Sequence, residues 1–132
     1  MNSGKGTVAV VDDDMRLLES LENLLESAGY SVRTFASAKA LLDGGLSEID
    51  CLITDIGMPV IDGFELLDLA KKARPNLPVF LITGRHEIGD QKRANAKDIS
   101  GFFRKPFDGP TLLAALGDAL RVTVGDDDDG AR

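Results

Sequence analysis

Four short apolar runs, each halting at polar residues, constrain the fold of this chain more than any other feature. Thr7 to Val11 stops at Asp12-Asp13-Asp14, and Ile49 to Thr54 leads into Asp55. Val79 to Ile82 ends at Thr83-Gly84, and Phe102-Phe103 precedes Lys105-Pro106-Phe107. An unbroken apolar run of this length is what a strand buried on both faces presents. A further, less buried strand is expected from Tyr30 to Phe35, where Val32 and Phe35 stand among polar neighbours.

The intervening segments read as helices. From Met15 to Ala28 the residues Leu17, Leu18, Leu21, Leu24, Leu25 and Ala28 recur at helical spacing; Gly29 ends the pattern, and Asp14 is placed to cap its start. Ser37 is placed to cap a short helix through Leu42, closed by Gly44-Gly45. Met58 to Gly63 reads as a loop, followed by a helix over Phe64 to Lys72 with Phe64, Leu67 and Lys71 on one stripe. Pro75 and Pro78 bracket the turn into the Val79 strand. Residues 85–98 are unusually polar, with Ile88 the one large apolar side chain, and support a helix only weakly. Thr111 to Val122 makes the last amphipathic helix.

Strand and helix thus alternate through short connections, which favours right-handed crossovers, a parallel sheet and helices on both faces: an α/β, doubly wound fold. Such a sheet offers its ligand site outside the carboxyl ends of the strands. Asp12, Asp13, Asp55, Thr83 and Lys105 all fall at those ends.

With 132 residues the chain suffices for one hydrophobic core, and 43% hydrophobic with 28% charged residues marks it as globular. No apolar stretch approaches the ~20 residues of a membrane span, and no apolar segment of a signal peptide follows Met1, so a cytoplasmic location is expected. The single Cys51 lies in an apolar run and reads as a buried structural thiol. A net charge of −7 argues against nonspecific nucleic-acid binding. Of that charge, −3 belongs to residues 125–132, with four aspartates and one arginine. Residues 123–132 therefore read as an acidic, disordered, solvated tail.

The residue types at the strand ends suit phosphoryl transfer, which needs positioning and charge neutralisation more than covalent assistance. Carboxylates hold a hard cation such as Mg²⁺, a carboxylate can attack phosphorus, and a lysine can neutralise the product. Carboxylates crowded into one cleft also repel each other, which a bound cation relieves.

Four motifs in order, on matching elements, carry a resemblance. They are the acidic pair after the first strand, Asp55 with Met58-Pro59 three and four residues on, Thr83-Gly84, and Lys105-Pro106-Phe107. The chain resembles the receiver domain of two-component response regulators over residues 6–122, in the CheY-like superfamily. The resemblance implies a flavodoxin-like five-stranded sheet in the order 2-1-3-4-5 with five helices. It also implies that Asp55 is the nucleophile and phosphoacceptor, served by a sensor histidine kinase or a histidine phosphotransfer protein. Asp12, Asp13, Asp55 and the backbone carbonyl of Gly57 would hold Mg²⁺, while Thr83 and Lys105 would meet the phosphoryl group. Phe102 would be the aromatic that moves inward with Thr83, changing the face made by the fourth helix, fifth strand and fifth helix. Lys105-Pro106 is a candidate cis peptide bond.

A signalling role, rather than that of a turnover enzyme, is what the resemblance implies, with a downstream protein target or a separate output domain as the recipient. No DNA-binding segment is recognised, so the chain is expected to be a stand-alone receiver or one cut from a longer regulator; dimerisation on phosphorylation is left open. Two departures stand out: Lys97-Asp98-Ile99 replaces a small-residue turn, and Lys92, Arg93, Asn95 and Lys97 replace alanines, which points to a distinctive partner surface. Asp14 is read as a cap rather than a third metal ligand, and His86 as a solvated loop residue. Arg85 is placed either to influence hydrolysis at Asp55 or simply in an exposed loop. Two alternatives compete. Asp12-x-Asp14 resembles the nucleophile motif of haloacid-dehalogenase-like phosphatases, and a receiver-like module could bind partners without phosphorylation.

Overall fold

The computed structural model describes the backbone of residues 5–84 and 88–131, and the side chains within that span other than 88 and 121–131. Five strands and five helices alternate: β1 Thr7–Val11, α1 Met15–Ser27, β2 Ser31–Phe35, α2 Ala38–Gly44, β3 Cys51–Asp55, α3 Gly63–Ala73, β4 Val79–Thr83, α4 Ile88–Asn95, β5 Gly101–Arg104 and α5 Gly109–Ala131. All pairings are parallel, in the order β2-β1-β3-β4-β5. The flavodoxin-like arrangement expected from the sequence is therefore the one observed.

Central position explains the apolar runs. β3 and β4 are buried along their whole length, whereas the edge strands β2 and β5 are at most half-buried. Alternate residues of each central strand feed opposite layers of core. Ala9, Val11, Leu52, Val79 and Leu81 pack with α2 and α3 on one face. Val8, Val10, Cys51, Ile53, Phe80 and Ile82 pack with α1 and α5 on the other. Cys51 is fully buried, and that burial pushes its thiol pKa strongly up.

Local signals act as expected at several ends. Asp14 caps α1, its carboxylate accepting from the Arg16 N–H at 3.0 Å, and Ser37 caps α2 through the Ala40 N–H at 3.1 Å. Gly29, at φ 101°, turns the chain from α1 into β2. α3 starts earlier than its apolar pattern suggests because Asp62 and Glu65 form a reciprocal capping box. Its buried side chains are Phe64, Leu66, Leu67 and Ala70, and Lys71, on the stripe that Phe64 begins, pairs with Asp98. α5 continues beyond Val122, where the amphipathic pattern stops, to Ala131. Arg85 and His86 lie outside the described residues.

Candidate functional site

The sheet register carries the polar residues to one edge. Val11 is level with Thr54, Asp55 with Ile82, and Thr83 with Arg104. Backbone bonds extend the ladder just past the strands: Asp12 N–H donates to Phe35, Ile56 N–H to Ile82, and Lys105 N–H to Thr83. Asp12, Asp13, Asp55, Gly57, Thr83, Gly84 and Lys105 consequently line one open cleft of about 370 Å³, bordered also by Asp14.

Within it, carboxylate oxygens of Asp12, Asp13 and Asp55 lie within 4.8 Å of one another. Asp12 and Asp55 are buried and Asp13 is exposed. Lys105 Nζ stands 2.9 Å from Asp12 Oδ2 and 3.3 Å from Asp55 Oδ1, reaching across the cluster from the cis Lys105-Pro106 peptide bond. The other Asp12 oxygen accepts from the Asp14 N–H at 2.8 Å. Asp14 itself stays with the α1 cap and is not part of the metal-competent cluster of Asp12, Asp13 and Asp55.

The electrostatics show a cluster short of positive charge. Burial pushes the Asp12 and Asp55 carboxyls above the usual carboxylate range, and the Lys105 ammonium only partly offsets this. Lys105 is raised as well: burial pulls it down, but its hydrogen bond to Asp12 and the two nearby negative charges outweigh that pull. Converging hard oxygen donors with unrelieved mutual repulsion fit a small divalent cation. Asp12, Asp13 and Asp55 are the side chains present for it, with Gly57 at the same rim.

Thr83 is buried at the cleft wall. Phe102, level with Leu81, is half-buried against the α2–α3 core layer, with the Arg104 guanidinium 5.4 Å from its ring centroid. Phe103 points to the opposite layer, stacked 6.2 Å from Phe80.

Two residues between β3 and the first turn of α3 have structural demands that sequence reasoning did not single out. A Cβ on Gly63 would lie 2.3 Å from the Asp55 carbonyl oxygen and 2.7 Å from Ile56 Cα, and the Gly63 N–H donates to the Ile56 carbonyl at 2.9 Å. The first residue of α3 therefore rests directly on the backbone of the Asp55 strand. Val60 has φ 70° and is 93% exposed, and the Ile61 N–H bonds across it to the Pro59 carbonyl at 2.8 Å. That is a positive-φ γ-turn, a rare and strained form, here centred on a β-branched residue.

Known proteins share this arrangement. The transcriptional regulatory protein FixJ of Bradyrhizobium diazoefficiens is 37% identical over 119 residues, covering 89% of this chain and 58% of that protein. The response regulator protein TmoT of Ectopseudomonas mendocina is 34% identical, covering 92% of this chain and 56% of its own length. The chain thus spans little more than half the length of these curated relatives. Among solved structures, a CheY-like response regulator receiver domain protein from Methanospirillum hungatei superposes with a TM-score of 0.83 at 27% identity, over 91% of this chain and 97% of that one. Residues 8–117 match the response regulator receiver domain, and the chain belongs to that family, the receivers of two-component response regulators.

Proposed function

We propose that this receiver is a phosphorylation-activated switch in which Asp55 accepts a phosphoryl group from a phosphohistidine on a sensor histidine kinase or a histidine phosphotransfer protein. The observation that carries the reading is the convergence of Asp12, Asp13, Asp55, Thr83 and Lys105 on one cleft, with Lys105 Nζ within 3.3 Å of both Asp12 and Asp55. An Asp55 carboxylate oxygen forms the new P–O bond as the P–N bond to the donor histidine breaks. The imidazole nitrogen keeps the bonding pair and takes up a proton. Lys105 then pairs with the phosphoryl oxygens, and the Thr83 hydroxyl hydrogen-bonds to them.

Asp12, Asp13, Asp55 and the Gly57 backbone carbonyl are the groups that would hold Mg²⁺. A cation there supplies neutralisation of charge on the transferred group. As Thr83 is drawn toward the phosphoryl group, Phe102 moves inward and the face made by α4, β5 and α5 rearranges. In thermodynamic terms the modification biases a two-state equilibrium. The domain acts on its own aspartate only; its product is a signal, read by an output domain of a longer regulator or by a separate target. A cytoplasmic setting follows from this reading, and no described helix is long and apolar enough to cross a membrane. Residues 123–132 form an acidic appendage with no part in the phosphoryl chemistry, so their deletion leaves phosphorylation rates unchanged.

The chemical nature of the product tests the reading. An aspartyl phosphate is an acyl phosphate, so hydroxylamine should release the phosphoryl group and leave a hydroxamate on Asp55. A label that resists hydroxylamine, or a hydroxamate on Asp12, would overturn it.

A further inference from the structure

Helix α4 is the most polar helix in the fold, and the phosphoacceptor chemistry does not explain what seats it. Its eight residues are too few for a helix to be stable by itself. Among its described side chains only Asp90 and Ala94 are buried, and Ala94 is its one member of the apolar core.

Among the described side chains, charged groups of α4 and of the turn after it reach across to α3. The Arg93 guanidinium lies 4.1 Å from the centroid of the Phe64 ring, which is itself fully buried. In the turn after α4, Lys97 Nζ reaches both carboxylate oxygens of Asp68, at 3.0 and 3.3 Å. Asp98 meets Lys71 Nζ at 3.3 Å. On α3 the partners Phe64, Asp68 and Lys71 follow one another at spacings of four and three, and so form a single stripe along the helix. That stripe begins beside Gly63, the residue resting on the Asp55 backbone.

We infer that this stripe is a charged latch. Arg93 on Phe64, Lys97 with Asp68 and Lys71 with Asp98 together seat α4 on α3, so that ionic strength controls how firmly the helix is held. Lys97 and Asp68 are 31% and 58% exposed, and a pair in such a setting is weak and readily screened. The attraction of a cation for a ring face is electrostatic too. Screening over a Debye length of about 10 Å at 0.1 M salt shortens to about 3 Å at 1 M. Helices α1, α3 and α5 are seated by buried leucines and lack this sensitivity. The consequence for signalling rests on the switch reading: a looser resting seat favours whichever arrangement of the α4–β5 face phosphorylation selects. The seating itself is a property of the unphosphorylated protein.

Amide hydrogen exchange on the full chain, without Mg²⁺ or phosphodonor, tests this. Between about 0.05 and 1 M NaCl, exchange at Ala94 and Asn95 should accelerate about fivefold or more, while Phe80 to Ile82 in β4 stays unchanged. Asp68→Asn and Arg93→Gln should each accelerate α4 exchange about two- to fivefold at low salt and blunt the salt effect. The double reversal Asp68→Lys with Lys97→Asp should restore protection lost in Asp68→Lys alone. Exchange in α4 indifferent to salt and to these substitutions would overturn the latch, whatever happens at Asp55. With an adduct on Asp55 and a salt-indifferent α4, the latch fails and the switch stands. With no adduct but salt-sensitive α4, the latch stands and its signalling consequence falls.

Discussion

Replacing Gly63 with alanine adds a single methyl group, and the structure states what that group meets. At 2.3 Å from the Asp55 carbonyl oxygen and 2.7 Å from Ile56 Cα, it sits about 1 Å inside ordinary van der Waals contact with backbone atoms that cannot rotate away. At a helical position with room to spare, the same change would stabilise by about 0.4–1 kcal/mol by restricting the unfolded chain. Overpacking against immobile backbone reverses the sign, at a cost of about 1–3 kcal/mol or more. The net expectation is a loss of roughly 2 kcal/mol, or about 6–8 °C in Tm for a domain of this size. Because the strain is relieved by moving α3 away from Asp55, phosphorylation should suffer beyond the loss of folded protein. A displacement near 1 Å at the acceptor costs on the order of 100-fold in rate. The assay is a thermal melt beside the initial rate of phosphorylation by acetyl phosphate, measured well below the melting range. Gly89→Ala is the control, since a Cβ there has nothing within 4 Å. If Gly63→Ala melts with the parent protein and is phosphorylated within twofold of its rate, the claim that α3 positions Asp55 is wrong.

The γ-turn at Val60 predicts the opposite sign. A left-handed β-branched residue costs about 1–2 kcal/mol, glycine returns up to about 1 kcal/mol of that as unfolded-state entropy, and a side chain 93% exposed has no packing to lose. Val60→Gly should therefore raise stability by about 0.5–1 kcal/mol in a denaturant melt, and a loss would show that Val60 makes a contact the geometry does not reveal. The raised pKa values of Asp12 and Asp55 fix a pH dependence. A carboxyl raised on folding contributes stability below its unfolded pKa and loses it as pH rises through the folded value. Metal-free protein should thus lose stability from this pair as pH climbs through the carboxylate range toward neutrality. Asp55→Asn should be more stable than the parent at pH 7 without metal, the gap closing in acid; a gap constant with pH would contradict the assignment. Mg²⁺ at ten times its dissociation constant should stabilise the parent by about 1.4 kcal/mol, and Asp13→Asn should remove most of that shift.

The central fold was legible because burial on both faces leaves unbroken apolar strings, and β1, β3 and β4 are such strings. Edge position blurs the signal: β2 carries exposed Arg33 and Thr34, and β5 is only half-buried, yet the aromatic pair Phe102-Phe103 still marked it. Helix α4 was the weakest expectation because its seating relies on Arg93 and on the ion pairs of Lys97 and Asp98, which leave no apolar period to read. Lys71 stands on the stripe that Phe64 begins, as its spacing indicates, and its ammonium group reaches Asp98. In the site, Asp12, Asp13, Asp55, Thr83 and Lys105 announced themselves by standing where strands end. Gly63 and Val60 did not. A glycine beginning a helix and a valine in a loop are unremarkable as letters; what distinguishes them is the distance to Asp55 and the sign of φ. The one clue in the sequence was Asp62 three residues before Glu65, a capping-box spacing that starts α3 hard against the Asp55 strand.

Intact-protein mass after incubation with acetyl phosphate and Mg²⁺, run beside Asp55→Asn, asks whether Asp55 is the phosphoacceptor. One phosphoryl adduct is expected on the parent protein and none on Asp55→Asn. An adduct that persists in Asp55→Asn and disappears in Asp12→Asn would move the nucleophile to Asp12, and no adduct on either protein would leave a receiver fold that works by binding alone.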